Sequence, residues 1–351
     1  MRLLIGGSST FLVHLKQFSD TLNSLGVESK LVFDGDYADG FPSRKIRNWF
    51  QTKKKFNKLI NEFKPDAIFV DRQRHFGINA LKANIPLFVL LRGHYWSEIY
   101  WNKRTMYKPL QKRIALWQWD KLAKEIFNGA TAIFPICKYL EKVTNKFVPD
   151  KSTKVFFEGV DASKWYQVKG MNLKHPCVGL LQRASWWGKT SEMLILKKVL
   201  EKMPDVNFYW AGDGPLRERV LSELDKYDNF HWLGNLQYPD KVREYLSEID
   251  VYALITGMDL APLTLKEAQL MKKPVIATNV GGNPEMMIDG KTGFLVEQGN
   301  HEQIIARLSL LLADKELSKK MGNDGRKFIE DTFNWEFVTK NFIKVVKSYL
   351  K

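Results

Sequence analysis

Cysteine is scarce in this sequence. Of its 351 residues only Cys137 and Cys177 are cysteines, and they lie in different parts of the chain without the spacing of zinc ligands. Neither a disulfide framework nor a structural zinc site is therefore predicted. We interpret both residues as reduced, small hydrophobic side chains.

Long hydrophobic runs are also lacking. No apolar run approaches the ~20 residues that span a bilayer. The start "MRLLIGGSSTFLVHL" is too short and too interrupted by glycine for a signal peptide. With 44% hydrophobic and 26% charged residues and no low-complexity tract, the composition is that of a globular protein. We expect a cytoplasmic location, with peripheral contact to the cytoplasmic membrane face left open.

Negative charge is under-represented in the first half of the chain. Residues 1–160 hold 27 Lys and Arg against 14 Asp and Glu, whereas residues 161–351 hold 27 against 25. This asymmetry predicts an anionic partner such as phospholipid, a lipid-linked phosphate, a glycan or nucleic acid. The segments "RKIRNWFQTKKKFNK" and "WSEIYWNKRTMYKPLQKRIALWQWDKLAKEIF" mix basic and aromatic residues, as interfacial helices do. Soluble helices with a buried aromatic stripe share that pattern, so both interpretations stay open.

Short apolar segments alternate with helical ones along the chain, and the pattern restarts after "GVD" at residues 159–161. Alternating strands and helices predict parallel sheets with helices on both faces. Two such doubly wound domains in tandem leave a cleft, and ligands bind beyond the carboxyl ends of the strands. The predicted strands are "RLLIGG", "ESKLVFD", "PDAIFVD", "IPLFVLLRG" and "ATAIFPI", then "PCVGLL", "VNFYWAG", "NFHWLG", "DVYALI", "KPVIAT" and "GFLV".

Two glycine pairs lie between a predicted strand and a predicted helix. Gly6 and Gly7 end the strand of "LLIGGSST", where backbone N–H groups and a helix dipole can face an anion. Gly212 and Gly214 in "YWAGDGPLRERV" allow close backbone approach. Tight turns use glycine in the same way, so neither pair is specific alone.

The segment "GLLQRASWWGKT" places Arg183 and Lys189 six residues apart after a strand. Two cations at the carboxyl end of a parallel sheet suit a diphosphate, because charge-assisted hydrogen bonds strengthen as a leaving group gains charge. Solvated surface charges are the alternative.

Carboxylates follow in "MDLAPLTLKEAQLMKKPVIAT". Asp259 is predicted in a loop and Glu267 within a helix between Pro262 and Pro274. Such a pair can accept hydrogen bonds from sugar hydroxyls, although acidic residues near helix starts also have dipole reasons.

The stretch "ATNVGGNPEMMIDGKTGFLVEQGN" combines a strand end, a flexible loop and a hairpin-like "IDGKTGFLV". In its loop, Gly281 and Gly282 permit close backbone approach, and Glu285 supplies a hydrogen-bond acceptor.

Together these motifs, in this order, resemble the family-4 retaining glycosyltransferases of GT-B fold. The resemblance runs nearly the whole chain and is strongest from about residue 155 to 300, through "EGVD", "AGDGPLRE", "KKPVIAT" and "GGNPEMMIDGKTGFLV". It implies two Rossmann-like α/β domains facing each other across a cleft. Residues 1–160 would bind the acceptor and 161–332 the nucleotide-sugar donor, with a last helix at about 333–351 packing back on the first domain.

By the same resemblance, Glu267 would hold the ribose hydroxyls of the donor. Asp259 occupies the position of the first Glu in the family's pattern, with a side chain one methylene shorter, and Glu267 occupies the second. Arg183 and Lys189 match the diphosphate-binding cations, although Gly188 precedes the lysine where the family's glycine follows it. Gly7 matches a glycine near the donor phosphate.

The family usually carries a histidine after a central strand of the first domain. The strand in "IPLFVLLRGHYW" puts Arg92 at that position and His94 two residues later. Both remain candidates, with His94 retained among the catalytic residues.

The resulting hypothesis is a hexosyltransferase-type enzyme that moves a sugar from a nucleotide sugar, such as a UDP- or GDP-sugar, to a hydroxyl of a glycan or lipid-linked glycan. No His, Asp and Glu cluster with metal-ligand spacing is evident, and no metal or other cofactor is expected. The alternatives are a non-catalytic nucleotide-sugar-binding protein of this fold and a DNA-modifying glycosyltransferase, although no nucleic-acid motif supports the latter.

Overall fold

The computed structural model describes residues 1–8, 12–43, 46–50 and 53–350, without the side chains of residues 47 and 50. The chain divides into two compact units. Unit 1 comprises residues 1–159 with 335–351, and unit 2 comprises residues 160–334.

A five-stranded parallel sheet forms the centre of unit 1, in the order β2-β1-β3-β4-β5. Its central strands are buried on both faces, which explains why they read as continuous apolar runs such as "LFVLL". The strands are β1 Arg2–Gly7, β2 Glu28–Phe33, β3 Ala67–Asp71, β4 Leu87–Leu91 and β5 Ala132–Pro135.

Helices cover this sheet, and the last helix of the chain is one of them. Phe342 of that helix packs with ring centroids 5.0 Å from Phe18 and 5.1 Å from Phe69. Trp335 Nε1 donates a hydrogen bond to Gln17 Oε1 at 3.0 Å. The C-terminal helix therefore completes the aromatic core of unit 1. The helices of unit 1 are α1 Leu12–Ser24, α2 Asp34–Tyr37, α3 Lys54–Phe63, α4 His75–Lys82, α5 Tyr95–Arg104, α6 Leu110–Gly129, α7 Lys138–Phe147 and α15 Trp335–Tyr349.

Unit 2 has a six-stranded parallel sheet in the order β11-β10-β9-β6-β7-β8. The strands are β6 Cys177–Leu181, β7 Asn207–Ala211, β8 Phe230–Gly234, β9 Val251–Leu254, β10 Val275–Thr278 and β11 Gly293–Val296. The helices are α8 Trp187–Thr190, α9 Leu196–Lys202, α10 Arg217–Leu224, α11 Asp240–Glu248, α12 Leu263–Leu270, α13 His301–Ala313 and α14 Lys315–Thr332. The predicted strands of both halves are confirmed, as is the class of two Rossmann-like α/β units.

Strand order reverses between β6 and β9 in unit 2, and between β1 and β3 in unit 1. The connections leave toward opposite sides at such a point, which opens a crevice at the carboxyl ends of the two strands. These two positions are where a ligand site is expected in each unit. Separately, no helix in the described part of the chain is long and apolar enough to cross a membrane.

Candidate active site

The loops after β6 and β9 come together at the strand-order reversal of unit 2. Lys189 of α8 places its Nζ 2.5 Å from Asp259 Oδ2, and the two side chains are 20% and 17% exposed. Two predicted site residues, 70 positions apart, thus form a partly shielded ion pair at the position where open parallel sheets bind ligands.

Backbone contacts hold this ion pair in place. Gly257 N–H donates to the Lys189 carbonyl at 3.0 Å. A Cβ added to Gly257 would lie 2.3 Å from the Gly188 carbonyl oxygen, so only glycine lets the two loops approach this closely. The backbone position of Lys189 is therefore fixed by the main chain of the loop after β9.

Arg183 has a different environment. It is exposed, and within the described part of the chain it makes neither an ion pair nor a side-chain hydrogen bond. Together with Gly212, Gly214 and Thr264 it lines a cavity of about 490 Å³ at the carboxyl end of the sheet. Its guanidinium is thus available to an anion, and no contact joins it to Lys189 in the described part of the chain.

The glycines after β7 serve a purpose that the sequence analysis did not foresee. A Cβ on Gly212 would lie 2.1 Å from the Gln182 carbonyl oxygen, and one on Gly214 would lie 2.2 Å from that of Ala184. The backbone at these two glycines thus lies close against the loop that carries Arg183. They therefore shape the cavity wall in addition to any contact with a ligand.

Glu267 lies in α12 with only 3% of its surface exposed. Tyr238 Oη donates a hydrogen bond to Glu267 Oε1 at 3.1 Å. Burial raises the pKa of Glu267 to about 7, against the lowering effects of the Tyr238 hydrogen bond and the Lys266 charge. A buried carboxylate of this kind is suited to hydroxyl donors from a ligand.

The glycine-rich loop after β10 packs on Asp259. Gly281 has φ +57, and a Cβ there would lie 2.0 Å from the Asp259 carbonyl oxygen, to which Gly282 N–H donates at 2.9 Å. Glu285 ends a short 3₁₀ segment nearby and is half-buried. The hairpin-like expectation for "IDGKTGFLV" is wrong, because β11 pairs in parallel with β10 and residues 288–292 form a turn before it.

In unit 1 the glycine pair ends β1 and is buried. A Cβ on Gly6 would lie 2.8 Å from the Phe76 ring, and one on Gly7 would lie 2.5 Å from Leu15. Both glycines are therefore required for helix packing on the strand, whatever else they contact. The rest of this predicted loop, residues 9–11, lies outside the described residues.

A charged network that the sequence analysis missed lies at the carboxyl ends of β3 and β4. Arg92 Nε donates to Asp71 Oδ1 at 2.6 Å, and Arg92 Nη1 pairs closely with Glu158. Ser8 Oγ also donates to Asp71, at 3.0 Å. Although burial opposes it, the charges of Glu158 and Asp71 raise the pKa of the Arg92 guanidinium. Arg92 is thus enclosed by its partners.

His94 is the more accessible of the two candidates after β4. It is half-buried at the N-cap of α5, and its Nδ1 accepts a hydrogen bond from Ser97 N–H at 3.2 Å. Burial lowers its pKa, which favours the neutral imidazole. A capping role therefore coexists with any role toward a substrate.

Unit 1 also contains a cavity of about 980 Å³. Its lining combines aromatic side chains with charges of both signs, a mixture that suits a polyhydroxylated ligand. Arg72 has φ +74, a strained conformation of the kind found at ligand sites. Lining residues include Asp36, Asp39, Arg72, Arg74, Tyr95 and Trp119.

An Asp-x-Asp triplet, Asp34-Gly35-Asp36, bears on the expectation that no metal is used. It lies in α2, where side chains at i and i+2 do not face each other. Asp34 is buried, lies 3.8 Å from Arg74, and has its pKa raised by burial to about 6. The triplet therefore does not form a two-carboxylate chelate.

Two neighbours of the predicted site residues were not foreseen. Thr264 lies three positions before Glu267, so helical spacing alone could have placed both on one face. Tyr238 comes from the segment after β8, and nothing in its local sequence indicates that it reaches Glu267.

Comparison with known proteins bears on this arrangement. The family described as "Glycosyl transferases group 1" matches residues 165–328, which include β6 to β11 and every site residue of unit 2 described above. The match covers just under half of the chain. It supports the resemblance to glycosyltransferases that the motifs of unit 2 predicted.

Among curated relatives of this chain, sulfoquinovosyl transferase SQD2 of Arabidopsis thaliana is 30% identical over 155 residues. The alignment covers 43% of this chain and 30% of that protein, so the shared part is less than a third of the relative's length.

Solved structures extend the likeness over both units. Sucrose-phosphate synthase from Thermosynechococcus elongatus has a TM-score of 0.73 at 14% identity and covers 99% of this chain and 98% of its own. Anabaena HepE in complex with UDP-glucose has a TM-score of 0.70 at 16% identity, covering 99% and 100%. At these identities the likeness shows the GT-B fold.

Proposed function

We propose that this chain is a glycosyltransferase that transfers a sugar, with retention of configuration, from a nucleoside diphosphate sugar bound to unit 2. The observation that carries the proposal is the Lys189–Asp259 ion pair at the strand-order reversal. It places a cation and a hydrogen-bond acceptor where a diphosphate and its sugar would lie.

The cations of this site would stabilise the leaving group. Arg183 is exposed in the cavity wall, whereas Lys189 is paired with Asp259. A diphosphate bound beside Lys189 would share its ammonium group and release the Asp259 carboxylate for a sugar hydroxyl. Fixed positive charge in a shielded site stabilises developing negative charge, and we propose that it makes a divalent metal unnecessary.

Glu267 would bind the ribose of the donor. Its carboxylate is buried in α12 and has the Tyr238 hydroxyl at 3.1 Å. Ribose hydroxyls are further donors and would favour the ionised form. The nearby cavity beside Arg183 then has a volume suited to a nucleobase.

Retention follows if the acceptor hydroxyl attacks from the face that the diphosphate leaves, through an oxocarbenium-like transition state. A phosphate oxygen can take the hydroxyl proton in that arrangement. His94 then has a binding role toward a substrate, since its half-buried ring is accessible whereas Arg92 is enclosed. Backbone amides near Gly281 and Gly282 would complete the phosphate contacts within unit 2.

We assign the acceptor to the 980 Å³ cavity of unit 1. Trp119 and Tyr95 offer faces for sugar rings, while Asp36 and Arg74 offer hydrogen-bond partners. A glycan or lipid-linked glycan has the hydroxyl density that such a lining recognises.

The surface of α6 supports a membrane-bound acceptor. Leu110, Ile114 and Trp117 are 74%, 48% and 60% exposed, and their spacing puts them on one helix face, here called the α6 stripe. Exposed basic residues flank it, and Lys121 Nζ lies 5.6 Å from the centre of the Trp117 ring. Apolar residues bordered by cations are the pattern of a helix that lies on an anionic membrane.

The proposal is tested by measuring nucleotide release from a panel of UDP-, GDP-, ADP- and dTDP-sugars, without added metal and with a chelator arm. We expect one donor to be turned over in both arms. Lys189→Ala should lose about 100-fold or more in turnover, the typical effect of removing one stabiliser of a developing anion. Lys197→Ala removes a lysine paired with Glu223 outside the site and is the matched control.

The outcomes separate the competing functions. Equal turnover by wild type and Lys189→Ala would remove Lys189 from the mechanism. Donor binding without turnover in the presence of glycan acceptors would identify a non-catalytic binding protein. Transfer to duplex DNA and not to glycans would favour the nucleic-acid alternative.

A further inference from the structure

Three potential metal ligands converge at the end of β6 and β9 that lies opposite the Lys189–Asp259 pair. Cys177 begins β6, Asp250 directly precedes β9, and His175 lies two residues before Cys177. Because Val178 pairs with Val251, Cys177 and Asp250 lie side by side across the sheet. One ligand atom from each of the three residues can be chosen so that all lie within 4.8 Å of one another.

We propose that His175, Cys177 and Asp250 form a binding site for a divalent zinc-like cation. Imidazole nitrogen, thiolate sulfur and carboxylate oxygen are the ligand types that Zn²⁺ takes in proteins, and three protein ligands leave one position for water. The site is separate from the donor site and does not depend on the proposed function.

Two of the three distances between ligand atoms are close to those of a tetrahedral centre. Cys177 Sγ lies 3.7 Å from His175 Nδ1, and a tetrahedral zinc holds nitrogen and sulfur ligands about 3.5 Å apart. His175 Nδ1 lies 2.8 Å from Asp250 Oδ2. This distance would have to increase by about 0.5 Å to admit the ion. The second adjustment is small for side chains that are 44% and 39% exposed.

Glu248 supplies the outer contact that metal-bound histidines generally have. Its Oε1 lies 2.9 Å from His175 Nε2, on the side of the ring away from Cys177 and Asp250. A carboxylate there keeps the proton on Nε2 and turns the lone pair of Nδ1 toward the metal position. An ordinary histidine–carboxylate ion pair needs one acidic partner and no thiol, whereas this ring has two acidic partners and a thiol.

A bound metal would cross-link the amino-terminal ends of β6 and β9 in unit 2. His175 belongs to the segment before β6, Glu248 ends α11, and Asp250 directly precedes β9. A metal would join these elements and stabilise unit 2 without touching the carboxyl ends of its strands. Sequence spacing could not reveal the site, since Cys177 and Asp250 are 73 positions apart.

The test is titration of the chelator-treated full chain with Co²⁺ and then Zn²⁺. We expect one ion per chain, with a thiolate-to-cobalt absorption band and the visible bands of a tetrahedral centre. Zn²⁺ should displace Co²⁺ and raise the melting temperature, because it binds the folded chain only. Cys177→Ser should abolish the thiolate band, His175→Gln should weaken binding at least about tenfold, and Glu248→Gln should weaken it about 10- to 100-fold.

Cys137→Ser is the matched control, because Cys137 is the other buried thiol and caps α7 in unit 1. It should keep the full spectrum. If Cys177→Ser does not fold, His175→Gln carries the test, since its side chain is largely exposed. An octahedral spectrum without a thiolate band, or equal Zn²⁺ affinity in wild type and His175→Gln, overturns the proposal. Donor turnover should be the same with and without the ion.

Discussion

The two units place charge differently at the carboxyl ends of their parallel sheets. In unit 1 the cation after β4, Arg92, is buried and held by Asp71 and Glu158. In unit 2 the cations after β6 are accessible, with Arg183 exposed and Lys189 bound to a single carboxylate. Enclosed charge stabilises a fold locally, whereas accessible charge can exchange partners with a ligand. We therefore assign the proposed chemistry to the strand ends of unit 2.

The basic excess of unit 1 lies instead on its outer helices, and these differ from each other. In α3, Phe56 and Leu59 are buried and the lysines form a solvated face. In α6 the apolar residues of the stripe are themselves exposed. The helices α3 and α6 thus have different surfaces, and of these two α6 is the one with exposed apolar residues bordered by basic ones.

The largest expected effect comes from opening the enclosed network of unit 1. Arg92→Met leaves the Asp71 and Glu158 carboxylates buried without their cation. We expect a loss of about 3–5 kcal/mol in the free energy of unfolding, measured by urea titration. Arg113→Met, at an exposed position of α6, should change it by less than about 0.5 kcal/mol. Unchanged stability with lost turnover in Arg92→Met would show that Arg92 acts on substrate.

The next effect distinguishes α6 from α3. Trp117→Ser should weaken sedimentation with phosphatidylglycerol-containing vesicles by about 2 kcal/mol, roughly 30-fold, because the ring would be removed from the lipid interface. Replacing Lys53, Lys54 and Lys55 with Gln should have a smaller effect that disappears as salt rises.

The control for that comparison is Tyr166→Ser, an aromatic side chain of unit 2 that is 52% exposed. It should leave vesicle binding unchanged. Membrane binding that depends on the three lysines but not on Trp117 would assign the contact to α3. If both variants bind vesicles as the wild type does, neither helix contributes to membrane binding.

Local pattern explains which parts of this structure could be predicted. Strands such as β4 are apolar at every position because both faces of a parallel sheet are covered, and the helix between Pro262 and Pro274 is bounded by residues that cannot continue it. The order of strands has no such local signature. Contacts that depend on it, such as Lys189 with Asp259, Arg92 with Glu158 and Tyr238 with Glu267, therefore could not be read from spacing. The same limit concealed the cluster of His175, Cys177 and Asp250.

The smallest expected effect is a pH dependence of donor affinity that belongs to unit 2 alone. Burial raises the pKa of Glu267 to about 7, so the empty site holds a proton below that pH. Ribose hydroxyls stabilise the carboxylate and lower its pKa, so binding releases the proton. Affinity should therefore rise with pH and be about tenfold weaker near pH 6 than near pH 8.

Calorimetry with the nucleotide sugar that the release panel identifies measures this effect, because its diphosphate does not titrate in that range. Glu267→Gln should bind more weakly with no dependence on pH, whereas Glu285→Gln should keep the dependence of the wild type. The pH dependence of the free energy of unfolding tests the same pKa shift independently. An acid whose pKa is raised by folding contributes stability at low pH and loses it as pH rises toward about 7, so Glu267→Gln should flatten the unfolding free energy over that interval. A wild-type affinity that is constant from pH 6 to 8 would mean that ribose does not bind at Glu267. The proposed donor contacts of unit 2 would then be confined to Arg183, Lys189 and Asp259.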